Sequence, residues 1–254
     1  MPVSAAPAVL VTGGAQRIGH AIARRLAGRG WAVAIHCHRS RAQADTLAEE
    51  LRTQGARVAV VTADLACETD VLGLVDQASA AVGPLTALVN NASVFVRDQW
   101  DTVTRDSWTA NMDINLRAPF LLTQAFARQL PADAAGAVVN LVDQRVWRLN
   151  PDFTSYTVSK AGLWTLTQTL AQALAPHIRV NAVGPGPVLQ SIHHTPDSFH
   201  REAANVPLRH AVPPEEIADA VLFLLDSPSI TGQMIAVDSG QHLAWATPDI
   251  VGVY

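Results

Sequence analysis

The sequence holds only two cysteines among 254 residues, Cys37 and Cys67. A disulfide framework is excluded, and neither cysteine has the paired spacing of a zinc site. This predicts a reduced, cytoplasmic setting. Charge is scarce too: 16% of residues are Asp, Glu, Lys or Arg, and the net charge is −4. Without a basic excess, no nucleic-acid partner is expected. There is no run of about 18 apolar residues to cross a bilayer. The opening MPVSAAPAVLVTGG has no basic region followed by a long apolar segment, so neither a secretory signal nor a membrane partner is expected. Internal repeats and low-complexity linkers are also missing. What the chain does have is 49% apolar residues, enough for a sizeable core. Its length suits one large α/β unit over 1–254.

Short apolar runs alternate with helical patterns. Strand-like runs are AVLVT (8–12), WAVAIH (31–36), RVAVVTADL (57–65), ALVNNA (87–92), AVVNLVD (137–143), RVNAV (179–183) and QMIAVD (233–238). Between them, helical spacing covers 17–29, 41–54, 68–82, 105–130, 154–174 and 213–225, with a kink expected at Pro119. Continuous apolar strands alternating with helices imply a parallel sheet covered on both faces. The least regular stretch is 184–208, after the sixth strand, at the end where open α/β sheets bind ligands. A flap over a substrate and an ordinary surface loop are the two readings of it.

TGGAQRIG (12–19) follows the first strand and opens a helix. Gly13 and Gly19 suit a tight turn whose backbone N–H groups face a pyrophosphate. Arg17 stands where a middle glycine is usual, either as a solvated helix residue or as a cation beside phosphate or substrate. The second strand should end in an acid if it bound the ribose 2′-hydroxyl of NAD. It ends instead in His36-Cys37-His38-Arg39-Ser40-Arg41. An arginine and a serine there suit a 2′-phosphate, so NADPH is the expected cofactor. Asp64-Leu65 lies where an adenine would sit, and Asn90-Asn91-Ala92 beside the dinucleotide path. Turn formation accounts equally well for these polar residues taken singly.

Tyr156 and Lys160 are four apart on one helix and share a face. A nearby ammonium favours phenolate, so a lowered tyrosine pKa is expected. The pair suits proton delivery to an atom receiving hydride.

Together TGGAQRIG, NNA, Asn115 in DINLRAPF, YTVSK and VGPG resemble the short-chain dehydrogenase/reductase family, from about Val9 to Leu243. The resemblance implies a Rossmann-type three-layer sandwich with a seven-stranded parallel sheet, order 3-2-1-4-5-6-7. It implies assembly as tetramers or dimers, and a water held by Asn115 for Lys160. It also implies cofactor contacts from Ile18, Pro185, Gly186 and Val188, beside Gly13, Arg17, Gly19, His38, Arg39, Ser40, Asp64, Leu65, Asn90, Ala92, Ser93, Tyr156 and Lys160. Asp143 occupies the slot where the family usually has a serine. That aspartate, with Arg17, His38-Arg39-Ser40 and Ser93 followed by Phe95, resembles the pteridine and dihydromonapterin reductases. The closer resemblance implies that Phe95 stacks a flat bicyclic ring on the nicotinamide, with Ser93 and Arg17 alongside. Asp143 either takes part in proton delivery with Tyr156 or caps a turn. QRVWRLNPDF (144–153) departs from that branch, so Arg145, Trp147 and Arg148 could fit the pocket to another ring or a charged tail. An ordinary ketone or aldehyde reductase, and an inactive dinucleotide-binding regulator, are the competing functions. His193, His194 and His200 lack partners for a defined ligand set, so no metal is expected.

Overall fold

The computed structural model describes residues 6–193 and 195–244. The ends of the expected 1–254 unit, and His194 within the expected flap, lie outside the described residues. Seven strands form one sheet: β1 Ala8–Val11, β2 Ala32–Cys37, β3 Val58–Thr62, β4 Ala87–Asn90, β5 Gly136–Leu141, β6 Ile178–Pro185 and β7 Met234–Val237. All neighbours pair in parallel, in the order β3-β2-β1-β4-β5-β6-β7. The architecture is a single α/β Rossmann-like domain; the alternation predicts its parallel sheet and the family resemblance its strand order.

Successive strand residues face opposite sides. Val9, Val11, Val33 and Ile35 pack against α1 (Arg17–Ala27), α2 (Arg41–Thr53) and α8 (Pro214–Asp226). Ala8, Leu10, Ala32 and Ala34 pack with α3 (Glu68–Val82), α5 (Ala118–Gln129) and the end of α6 (Thr154–Ala173). On α1, Ile22 and Leu26 lie one turn apart and are fully buried. Each contributes roughly 1.5–3 kcal/mol by leaving water. Among the described residues no helix is long and apolar enough to cross a membrane.

Two segments differ from the sequence expectation. The helix expected to kink at Pro119 is interrupted earlier. α4 (Arg105–Met112) runs into a π-helical turn at Asp113–Arg117, and α5 starts at Ala118. The Ala118 N–H donates to the Asp113 carbonyl, five residues back. Pro119 sits in the first turn of α5, where a missing N–H costs least. Because Pro119 has no N–H, the Asn115 carbonyl loses its α-helical donor. The stretch 184–208 also holds a helix, α7 (Pro196–Ala204). It starts with a capping box, in which Thr195 accepts from the Ser198 N–H and the Ser198 hydroxyl accepts from the Thr195 N–H.

Candidate active site

The C-terminal ends of β1, β4, β5 and β6 border a cleft of about 660 Å³. It is lined by Arg17, Ile18, Ser93, Phe95, Asp143, Tyr156, Lys160, Pro185, Gly186 and Val188 among others. The structure therefore brings ten of the sequence-predicted site residues to one cavity.

The turn after β1 is tightly fitted. Gly13 has φ +61°, in the left-handed region that favours glycine. A side chain on Gly19 would place its Cβ 2.1 Å from the Gly13 carbonyl oxygen. Asn91 braces the turn, its Nδ2 donating to the Thr12 and Gly13 carbonyls at 2.8 and 3.1 Å. His36, at the end of β2, completes the brace. Its Nε2 lies 3.1 Å from the Ala63 carbonyl and so carries the proton. Its Nδ1 is thereby free to accept the Gly13 N–H at 3.1 Å. Burial pushes the His36 pKa down to about 4. The role of His36 was not visible in the sequence, where it reads as one more strand residue.

At the end of β2, Arg39 makes no hydrogen bond or ion pair among the described residues. Arg41 is held by Asp45, and Ser40 precedes α2 without capping it through its side chain. His38 Nε2 lies 3.7 Å from Asp64, whose other oxygen accepts the Ala66 N–H. Leu65 is buried beneath them. Asn90 points into the sheet: its Nδ2 donates to Asn140 Oδ1, and Asn140 Nδ2 donates to Thr167, both at 2.9 Å. Ala92 lies under the glycine turn, its Cα 3.0 Å from where a Gly13 Cβ would sit, and its N–H donates to Thr12. Arg17 has φ +54° and reaches the 184–208 segment, donating to the Gln190 and Leu189 carbonyls at 3.0 and 3.1 Å.

The reacting end is built by β5 and α6. Asp143 follows β5, and its two oxygens are divided. Oδ1 accepts the Arg145 N–H at 2.8 Å, while Oδ2 accepts the Tyr156 hydroxyl at 2.9 Å. Asp143 thus caps the turn and also bonds the tyrosine hydroxyl. The expected lowering of the tyrosine pKa is overturned. Burial and then the Asp143 carboxylate push the phenol well above its ordinary value. Lys160 Nζ donates to the Leu141 carbonyl at 2.8 Å and lies 5.7 Å from the tyrosine ring centroid. Burial lowers the lysine itself to about 8, against the pull of Asp143.

Asn115, in the π-turn, is fully buried. Its Oδ1 accepts the Val94 N–H and the Ser93 hydroxyl at 2.9 and 3.0 Å, and its Nδ2 donates to the Val94 carbonyl at 2.9 Å. It therefore sets the course of the chain that carries Phe95. A second tie escaped sequence reasoning. Asp98, 2% exposed, accepts the Ser155 N–H and hydroxyl and the Ser107 hydroxyl. It supplies from outside the cap that Phe153, in left-handed backbone with φ +61°, does not give to α6. Phe95 and Phe153 stack with centroids 4.1 Å apart, and the Tyr156 ring stands edge-on 4.5 Å from Phe95. His193 Nε2 donates to the Phe95 carbonyl at 2.8 Å, whereas the exposed His200 lies on α7 beside Phe199.

A dinucleotide-type turn with a Tyr–Lys helix against β5 is thus present as a joined site. Residues 13–242 match the family model described as Enoyl-(Acyl carrier protein) reductase. The chain belongs to the short-chain dehydrogenase/reductase family. A family member from Staphylococcus epidermidis, 3-oxoacyl-[acyl-carrier-protein] reductase FabG, is 30% identical over 239 residues, covering 92% of this chain and 98% of its own. Among solved structures, FolM alternative dihydrofolate reductase 1 from Brucella canis, complexed with NADP, is 49% identical with a TM-score of 0.94. The match covers 97% of this chain and 98% of that one. A blue fluorescent protein from a metagenomic library, in complex with NADPH, is 34% identical with a TM-score of 0.87, covering 92% and 97%. The chain is therefore an oxidoreductase of the short-chain type.

Proposed function

We propose that this enzyme is an NADPH-dependent reductase of a pteridine ring, dihydropterin- or dihydrofolate-like. The observation that carries the reading is the Tyr156–Asp143 hydrogen bond, a carboxylate where the family usually has a serine hydroxyl. The likeness to a FolM dihydrofolate reductase at 49% identity supports it.

The residues fit the cofactor. The turn that would hold the pyrophosphate closes only with glycines: a Cβ on Gly19 would strike the Gly13 carbonyl oxygen at 2.1 Å and one on Gly13 the Ala92 Cα at 3.0 Å, while one on Gly186 would meet the Asp238 Cα at 2.6 Å. Arg39 and Ser40, with His38 beside them, receive the 2′-phosphate, while Asp64 and Leu65 border the adenine. Ile18, Asn90, Ala92, Ser93, Pro185 and Val188 line the remaining dinucleotide path. NADPH, when bound, supplies a hydride to the ring carbon of the C=N bond. Tyr156 donates the proton to the ring nitrogen, Asp143 aligns the hydroxyl by accepting from it, and solvent returns a proton to the phenolate so formed. The raised tyrosine pKa keeps the phenol protonated, as reduction requires. Lys160 holds the nicotinamide ribose, and Asn115 connects Lys160 to solvent. Phe95 stacks the substrate ring, with Ser93 and Arg17 at its edge. The segment 184–208 closes over the ring as a flap. We assign a cytoplasmic homo-oligomer, as a tetramer, on the family resemblance.

The FabG relative supports a second reading, reduction of a ketone on an acyl chain. Loss of NADPH absorbance with dihydrobiopterin, dihydrofolate and a panel of ketones separates the two. Turnover of dihydropterins is expected; turnover of ketones alone would sink the pteridine reading. For the cofactor, Arg39→Ala should raise the KM for NADPH about tenfold to a hundredfold, the worth of a charge-assisted bond, and leave that for NADH nearly constant. Equal changes in both constants would remove the 2′-phosphate contact.

A further inference from the structure

Two arginines at the cleft, Arg97 and Arg145, have no salt-bridge partner among the described residues, with no carboxylate within 4.0 Å of either. Arg25 and Arg41 do pair with one, Asp219 and Asp45, whereas Arg17 and Arg179 are held by backbone carbonyls instead. Arg97 and Arg145 line the same cavity as Asp143 and Tyr156.

Arg145 is the more constrained of the two. Its Nη1 donates to Asn150 Oδ1 at 3.2 Å, but its Nε is buried without a hydrogen-bond partner. Leaving such a donor bare is costly. The aromatic rings do not compensate it. The guanidinium carbon lies 5.7 Å from the Phe95 centroid and 5.4 Å from that of Phe153. These rings stack on each other, so a point nearly equidistant from both centroids lies beside the stack. Ring edges are the positive part of the quadrupole, and a cation gains little there. Arg97 approaches the same Phe153 ring at 5.9 Å and is exposed. Two guanidinium groups thus border one aromatic stack, on the side of the cleft occupied by the 144–153 segment.

We propose that Arg145 and Arg97 form an anion subsite for a carboxylate or phosphate on the substituent of the ring substrate. This rests on the pteridine reading and narrows it: the preferred substrate is a flat heterocycle with an anionic tail. The ring's reducible bond lies at Tyr156 and Asp143. The tail extends past Phe95 to the two guanidinium groups that line the cleft, planar donors suited to the oxygens of an anion.

The test compares three reductase substrates that share the dihydropterin ring: dihydrobiopterin with a neutral tail, dihydrofolate with a carboxylate tail, and dihydroneopterin phosphate. The quantity read is kcat/KM for each anionic substrate divided by that for dihydrobiopterin, in wild type, Arg145→Gln, Arg97→Gln and Arg145→Lys. The wild type should prefer at least one anionic substrate, and Arg145→Gln should lower that preference about tenfold to a hundredfold. Arg97→Gln, at an exposed position, should lower it less, and Arg145→Lys should restore part of it. Which anionic substrate responds identifies carboxylate or phosphate. A preference absent from the wild type, or unchanged in both glutamine variants, overturns the subsite. If no dihydropterin is turned over while ketones are, the pteridine reading itself fails. Turnover of dihydrobiopterin without charge preference removes only the subsite.

Discussion

Asp143→Asn is expected to lower kcat on a dihydropterin by about 10²–10⁴-fold, the usual worth of a positioned proton donor. The two Asp143 oxygens accept from different donors, the Arg145 N–H and the Tyr156 hydroxyl. An asparagine has one oxygen to give. If that oxygen keeps the Arg145 N–H, an NH₂ faces the tyrosine, and the phenol becomes an acceptor. If it keeps the tyrosine, an NH₂ collides with the Arg145 N–H. Either way the orientation of the tyrosine proton is lost. Asp143→Ser restores the family's usual hydroxyl and should lose pterin reduction while any ketone reduction survives or grows. Parallel loss of both activities, or an asparagine variant within tenfold of wild type, would remove Asp143 from proton delivery. The pH profile adds a check. Lys160 titrates at about 8, so kcat/KM should fall as pH rises through that value and the ammonium is lost. Since Asp143 raises the lysine pKa, the limb should move to lower pH in Asp143→Asn.

The second large effect concerns acid stability. His36 is buried and neutral, with a folded-state pKa of about 4 against an ordinary value of about 6.5. As pH falls below 6.5, the unfolded chain binds a proton that the folded chain refuses. The stability held above 6.5 is therefore lost progressively, and is gone once pH has fallen through 4. The separation of the two pKa values amounts to about 3 kcal/mol. Protonation would also set an N–H of the ring against the Gly13 N–H, so the dinucleotide turn should loosen. Urea unfolding of wild type and His36→Asn at pH 7.5, 5.5 and 4 measures this term as the difference in their pH dependence. Identical slopes for the two proteins would show that His36 contributes nothing.

The elements that read clearly in the sequence are those whose signal is local. β1, β2 and β5 are short runs, apolar but for His36 and Asn140, and buried along their whole length, and α3 has the bounds its spacing predicts. Gly13, Asp143 and Tyr156 were legible because turn, strand end and helix face each constrain the residue type. The missed features depend on partners far along the chain. Asp98 meets Ser155 across 57 positions, and His36 meets Gly13 across 23; no periodicity carries such pairings. The π-turn was hidden because Pro119 signals an interruption but not on which side of the proline it falls. The direction of the tyrosine pKa is not legible in the sequence, because helical spacing brings Lys160 near the phenol without showing that its ammonium is drawn to the Leu141 carbonyl.

The Asn90–Asn140–Thr167 chain has a mechanical consequence. Asn90 and Asn140 are direct register partners on β4 and β5, and their amides bond on one face of the sheet. A slip of one residue would turn one amide to the opposite face and leave the other bare in an apolar interior. The two amides therefore act as an alignment key for adjacent strands. From the end of one strand runs the segment that braces the glycine turn; from the end of the other runs the segment bearing Asp143. The distance over which a hydride and its accompanying proton must be coordinated is thus fixed inside the sheet, before any loop folds over it.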